Sequence, residues 1–257
     1  MIEVSRRSIL AGIALVVSSR ARSASVAETF NVDSHEGKVV LTRYAANRSG
    51  KRPSVFLLHG LRGFTLKPRA YERYAVALAA EGLDAYLLHY YTEADSETLE
   101  KLGAKERREA YEAGRYGAWA ERVSSTLTAI LAKGDSSDRI GLLGFSLGGF
   151  VAAAAAAAAR DDRIAALAVI YGGMPERLAS EVKRLPALIE LHGDADRNVP
   201  LQAGEALVTL ARAVGAPAEQ VKYAGKGHGF DFTDNDPATD DAVERVSRFF
   251  QDHLNST

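Results

Sequence analysis

A doubly wound, mostly parallel α/β sheet is the fold class that this sequence predicts, and three observations predict it. Strand-like apolar runs alternate with helical patterns along the chain. From residue 54 onward those runs are continuously apolar rather than alternating, as expected where helices cover both faces of a parallel sheet. The length of 257 residues suits one such domain with a sizeable core and leaves little for a second.

The elements follow in order. Residues 28–32 and 38–44 flank His35-Glu36-Gly37, which reads as a hairpin turn. Further strands are expected at 54–58, 85–89, 139–143, 164–170, 187–191 and 220–224, which makes a mostly parallel eight-stranded sheet. Helical patterns lie at 71–81, 119–131, 147–159, 201–214 and 238–254, and right-handed crossovers place them on both faces. In the second of these, Trp119, Val123, Leu127 and Ile130/Leu131 recur at helical spacing as a core stripe. The eight alanines at 152–159 read as a close-packed helix whose small side chains let it lie near the sheet. Residues 91–117 are long, charged and poor in strand formers; they are either a lid over the site or a solvated connection with an early start to the next helix.

Composition removes several function classes. A formal charge of −1 gives no electrostatic reason to expect nucleic acid. The absence of cysteine excludes disulfides, thiolate metal sites and a cysteine nucleophile. Residues 1–27 read as an export signal: paired Arg6-Arg7, an apolar stretch at 9–17, then small residues ending at Ala27. The arginine pair is of the twin-arginine kind, so the export machinery is an expected partner and the periplasm the expected location. The apolar stretch is too short to span a bilayer, which needs about 20 residues.

The most informative stretch is Gly144-Phe145-Ser146-Leu147-Gly148, set between an apolar strand and a helix. Small residues on both sides of the serine permit a tight turn that projects its hydroxyl at the top of a sheet, beside the backbone N–H groups that follow. Serine needs a base to become a nucleophile, and the base needs an orienting acid. Of six histidines, only His228 lies in a glycine-bracketed loop after the last strand, 225–230, where it can swing over the sheet. The acid should follow the preceding strand, where Asp194 and Asp196 compete and spacing does not separate them. The order Ser146, Asp, His228 is that of the α/β-hydrolase fold. Two backbone donors should hold the oxyanion: Leu147 N–H, directly after the serine, and Leu61 N–H, in the loop His59-Gly60-Leu61-Arg62-Gly63 after an earlier strand.

These motifs together resemble the dienelactone hydrolase family: H-G-x-x-G at 59–63, G-F-S-x-G-G at 144–149, Tyr171-Gly172-Gly173, H-G-x-x-D-x-x-V-P at 192–200 and G-H-G-F at 227–230. The resemblance covers residues 39–254 and implies that Asp196, not Asp194, is the acid. The eponymous lactonases carry cysteine where this chain has Ser146, and they hold an acidic substrate with arginines. The stretch after His228 has no arginine; Arg107, by this resemblance, and Arg62 are the candidates for substrate contact. The expected function is a serine esterase acting on a small ester or lactone through an acyl-enzyme, with no metal or organic cofactor. The alternatives are a peptidase or amidase on the same fold, and a binding protein on a hydrolase scaffold.

Overall fold

Apolar runs become the middle of one sheet because each can bury alternate side chains on opposite faces. The computed structural model describes residues 27–255 apart from 48, 135, 160 and 161. The expected export signal, but for Ala27, lies outside the described residues. Among the described residues the strands are β1 (Ala27–Ser34), β2 (Gly37–Tyr44), β3 (Arg52–Leu58), β4 (Asp84–Leu88), β5 (Ser136–Phe145), β6 (Ile164–Ile170), β7 (Ala187–Gly193) and β8 (Ala218–Tyr223). They form one sheet in the order β1-β2-β4-β3-β5-β6-β7-β8. β2 runs antiparallel to both its neighbours, and every pairing from β4 to β8 is parallel.

The helices are α1 (Pro68–Ala80), α2 (Glu93–Lys101), α3 (Lys105–Leu131), α4 (Leu147–Ala158), α5 (Glu176–Ala179), α6 (Leu201–Ala213) and α7 (Pro237–Leu254). α1 and α7 pack on one face of the sheet, while α3, α4 and α6 pack on the other. Phe56, Leu58 and Leu142 join the core beneath α3 and α4; Val55, Leu57 and Leu143 join the core beneath α1 and α7. The alternation explains why the central strands carry no polar periodicity. β8, at the sheet edge, is mostly half-buried or exposed. The alanines of α4 from Ala152 to Ala156 are buried between the sheet and α3.

Two helices were not legible as patterns, and a third begins earlier than its stripe suggested. α3 starts at Lys105 rather than near Trp119, so residues 91–117 are mostly helix. α2 buries only Asp95 and Leu99 and offers no apolar period; a capping box defines it, with Thr92 Oγ1 accepting from Asp95 N and Asp95 Oδ2 accepting from Thr92 N. α5 is four residues long and buries none of them.

Asp95 also ties α2 to α3. Its oxygens accept from Tyr111 Oη (2.7 Å), Arg115 Nε (2.8 Å) and Trp119 Nε1 (3.0 Å). Arg115 continues to Glu36 in the β1–β2 turn. Arg122, one helical turn after Trp119, is buried and donates to the carbonyls of Glu36 and Lys38. Burial raises the Asp95 carboxyl, but hydrogen bonds from Arg115, Trp119, Thr92 and Tyr111 prevail and hold it down at about 2. A folded-state value below the unfolded one gives stability that is complete above the unfolded pKa and is lost as pH falls through the folded one. Asp95→Asn is therefore expected to lower stability by ~2 kcal/mol near pH 7. In urea titrations the deficit should shrink between about pH 4 and pH 2. A deficit that does not change with pH would show that Asp95 acts by shape alone.

Candidate active site

A tight turn joins β5 to α4. Ser146 takes φ 53° and ψ −120°, a conformation that an L-residue adopts only when its surroundings enforce it. A Cβ on Gly144 would overlap the Gly148 carbonyl, and one on Gly148 would overlap the carbonyls of Leu58 and His59. The turn therefore presses against the end of β3, and Ser146 N donates to Ile170 O at 3.0 Å.

His228 reaches this serine from the loop between β8 and a 3₁₀ turn, Phe230–Phe232. Its Nε2 lies 3.0 Å from Ser146 Oγ, and its Nδ1 lies 2.7 Å from Asp196 Oδ2. Nδ1–H donating to the carboxylate leaves the Nε2 lone pair to accept from the serine hydroxyl. The other Asp196 oxygen accepts from the amides of Asn198 (2.7 Å) and Val199 (3.0 Å). Asp194 does something different: its Oδ1 accepts from Gly225 N at 2.6 Å and ties the turn after β7 to the loop that carries His228.

Three tyrosines hold the loop after β3. Tyr90 Oη donates to His59 O (3.0 Å), Tyr71 Oη accepts from Gly60 N (3.2 Å) and Tyr91 Oη donates to Leu61 O (3.3 Å). The Leu61 and Leu147 amides donate to no acceptor among the described residues, and both residues line the cavity that holds Ser146. The arrangement offers two free donors beside one hydroxyl, which suits a developing oxyanion.

The cavity has a volume of about 710 Å³. One wall is the first half of α3, through Lys105, Arg108, Glu109, Glu112 and Tyr116. The face that buries Trp119 and Val123 further along the helix thus becomes the wall of the site. Extending the Trp119 stripe backward by three and four residues would have found this wall. Arg62 sits exposed at the cavity rim. Arg107, expected at the substrate, is instead exposed and does not line the cavity; Arg108 lines it. One residue of offset turns a side chain through about 100° around a helix. Burial, with the charge of Glu109, pushes the Glu112 carboxyl up to about 7. Among the described residues no group of three His, Cys, Asp or Glu side chains is placed to hold a metal ion. No helix among them is long and apolar enough to cross a membrane.

Behind His228, the ring of Tyr171 packs at 4.5 Å between centroids, and Phe230 is buried against Tyr223. Beside them Asp231 is fully buried; Tyr74 Oη donates to its Oδ2 at 2.8 Å, and Oδ1 has no partner among the described residues. Burial pushes this carboxyl up to about 6. A raised acid favours folding fully below its unfolded pKa and loses that contribution as pH rises through the folded one. The Asp231→Asn protein should therefore gain stability relative to the parent by ~2–3 kcal/mol between about pH 4 and pH 6. Chemical denaturation at both ends of that window measures the gain, and a difference of the opposite sign would contradict the burial argument.

Comparison with known proteins adds to this geometry. A family model, described as the dienelactone hydrolase family, matches residues 40–254. No curated protein matches the chain in sequence. Among solved structures, the chain resembles an acylaminoacyl peptidase from Pyrococcus horikoshii at 15% identity and a TM-score of 0.71, covering 91% of this chain and 43% of the peptidase. The chain thus spans less than half the length of that protein. A dienelactone hydrolase from Anabaena variabilis aligns at 18% identity and a TM-score of 0.70 over 91% of this chain and 100% of its own. Carboxyl esterase 2 from Tuber melanosporum aligns at 15% identity and a TM-score of 0.70, over 92% of this chain and 90% of the esterase. At these identities the structural likeness establishes the α/β-hydrolase fold.

Proposed function

We propose that this chain, which belongs to the dienelactone hydrolase family, is a serine hydrolase that cleaves a small carboxylic ester or lactone through an acyl-enzyme. The observation that carries the reading is the unbroken hydrogen-bond chain from Ser146 through His228 to Asp196, set beside two unpaired amides. Ser146 Oγ attacks the carbonyl carbon while His228 Nε2 takes its proton. The carbonyl oxygen becomes an oxyanion held by Leu61 and Leu147 N–H. His228 then gives its proton to the leaving alkoxide, and a water activated by the same imidazole hydrolyses the acyl-enzyme. Asp196 fixes the histidine tautomer and offsets the charge of the imidazolium. In a lactone the leaving alkoxide stays tethered to the acyl group. Every step runs on side chains and backbone amides of this chain.

Export belongs to the same proposal and rests on the sequence of residues 1–27: Arg6-Arg7, the apolar stretch 9–17 and the small residues that follow. A periplasmic form beginning near Glu28 would support it, and full-length protein kept in the cytoplasm would contradict it.

Ser146→Ala is expected to lower turnover of short activated esters by about 10⁴-fold or more, with little change in thermal stability. Steady-state assays on a clean preparation check this. Turnover near that of the parent protein would overturn the assignment of Ser146 as nucleophile.

A further inference from the structure

Behind Asp196 lies a buried ionisable pair that the proposed reaction does not use. His192, at the end of β7, is fully buried, and both of its ring nitrogens face acceptors. Nδ1 lies 2.7 Å from Glu190 Oε1, while Nε2 lies 3.0 Å from Val199 O and 3.6 Å from Asp196 Oδ2. Facing a carboxylate on one side and a carbonyl on the other, a neutral imidazole has one N–H and can donate in only one of these directions; donating in both requires the imidazolium. A buried cation is tolerated only when paired, and the Glu190 carboxylate supplies the partner. Burial alone would depress this imidazole, but the hydrogen bond and charge of Glu190 outweigh it, so its pKa is raised.

The pair is built into the packing. The second Glu190 oxygen accepts from Gln220 Nε2 on β8 at 2.9 Å. On α6, a Cβ at Gly204 would overlap the Glu190 carboxyl group, so the helix can approach only because that residue is glycine. Val199 links the pair to the site: its carbonyl faces His192 Nε2, and its amide donates to Asp196 Oδ1. The Asp196 oxygen nearest His192 is Oδ2, the one that accepts the hydrogen bond from His228 Nδ1.

We propose that His192, as an imidazolium paired with Glu190, is a positioning residue that fixes the Asp196 carboxylate and sets, from behind, the field that this carboxylate exerts on His228. The inference rests on the serine-hydrolase reading above. A positive charge 3.6 Å from Asp196 Oδ2 weakens the field that this carboxylate exerts on His228. The groups facing His192 are Glu190 from its own strand, Asp196 and Val199 from the loop, and the uncharged Gln220 and Gly204 from around Glu190. On its far side His228 meets the Tyr171 ring.

His192→Gln removes the charge and keeps an amide donor. The acid limb of its kcat/KM profile on a short ester should move up by about 0.5–1 pH unit. At the plateau kcat should fall about 10-fold with KM unchanged, the signature of a misplaced catalytic group. Profiles that superimpose, with only thermal stability lowered, would overturn the inference and leave His192 a packing residue. A second measurement does not depend on the variant folding: nitrogen NMR of the histidines in the full chain should show His192 keeping both ring protons to higher pH than free imidazole does. A His192 that loses a proton at or below the pH at which free imidazole does would equally overturn it. Failure of the underlying reading is distinguishable, because Ser146→Ala would then keep its activity while the His192 charge state stayed as described.

Discussion

The structure turns on one close approach, that of Gly148 to the carbonyls of Leu58 and His59 at the end of β3. Because no side chain stands between them, the turn after β5 and the loop after β3 meet. Ser146 and the Leu61 amide can then face one cavity. The strained backbone of Ser146 is maintained by that contact, by the hydrogen bond that its N–H donates to Ile170 O and by the buried helix α4. Alanine at five successive buried positions of α4 lets the helix lie against the sheet without pushing the turn outward. The loop after β3 is fixed separately, by Tyr71 and the adjacent Tyr90 and Tyr91, which bind the Gly60 amide and the His59 and Leu61 carbonyls and leave the Leu61 N–H free.

A buried line of polar groups runs inward from that surface: Ser146, His228, Asp196, His192, Glu190 and Gln220. Each member hydrogen-bonds the next except Asp196 and His192, which stand 3.6 Å apart and share Val199 as a hydrogen-bond partner, and this pairing makes so many polar atoms tolerable. Asp194 and Asp196 stand two residues apart and differ in role because one faces the turn of the following loop and the other faces the imidazole. The cavity is completed by a charged stripe on α3, anchored in turn by Asp95 and Arg115.

Much of this was legible in the sequence. The eight strands, the α4 helix and the loops carrying Ser146, His228 and Leu61 are written in continuous apolar runs and glycine-rich strand ends, which are local signals. Asp196 could be separated from Asp194 only through a resemblance, since the choice depends on which way two neighbouring side chains turn. The wall formed by Arg108, Glu112 and Tyr116 was missed because its residues are polar: a helix face that lines a cavity lacks the apolar stripe by which buried faces are read. Arg107 is named by resemblance alone, and a motif match does not say which of two neighbouring helix residues faces the cavity; Arg108 does. α2 rests on a capping box and one buried carboxylate, and the pairing of His192 with Glu190 depends on the glycine of a third element, α6.

The role proposed for the strained serine is that of nucleophile. It is tested most directly by reacting the purified protein with a serine-directed fluorophosphonate and mapping the adduct by peptide mass spectrometry. One phosphonate per chain is expected, on Ser146, formed in step with the loss of esterase activity. A protein that hydrolyses esters yet carries the adduct on another residue, or on none, would contradict it.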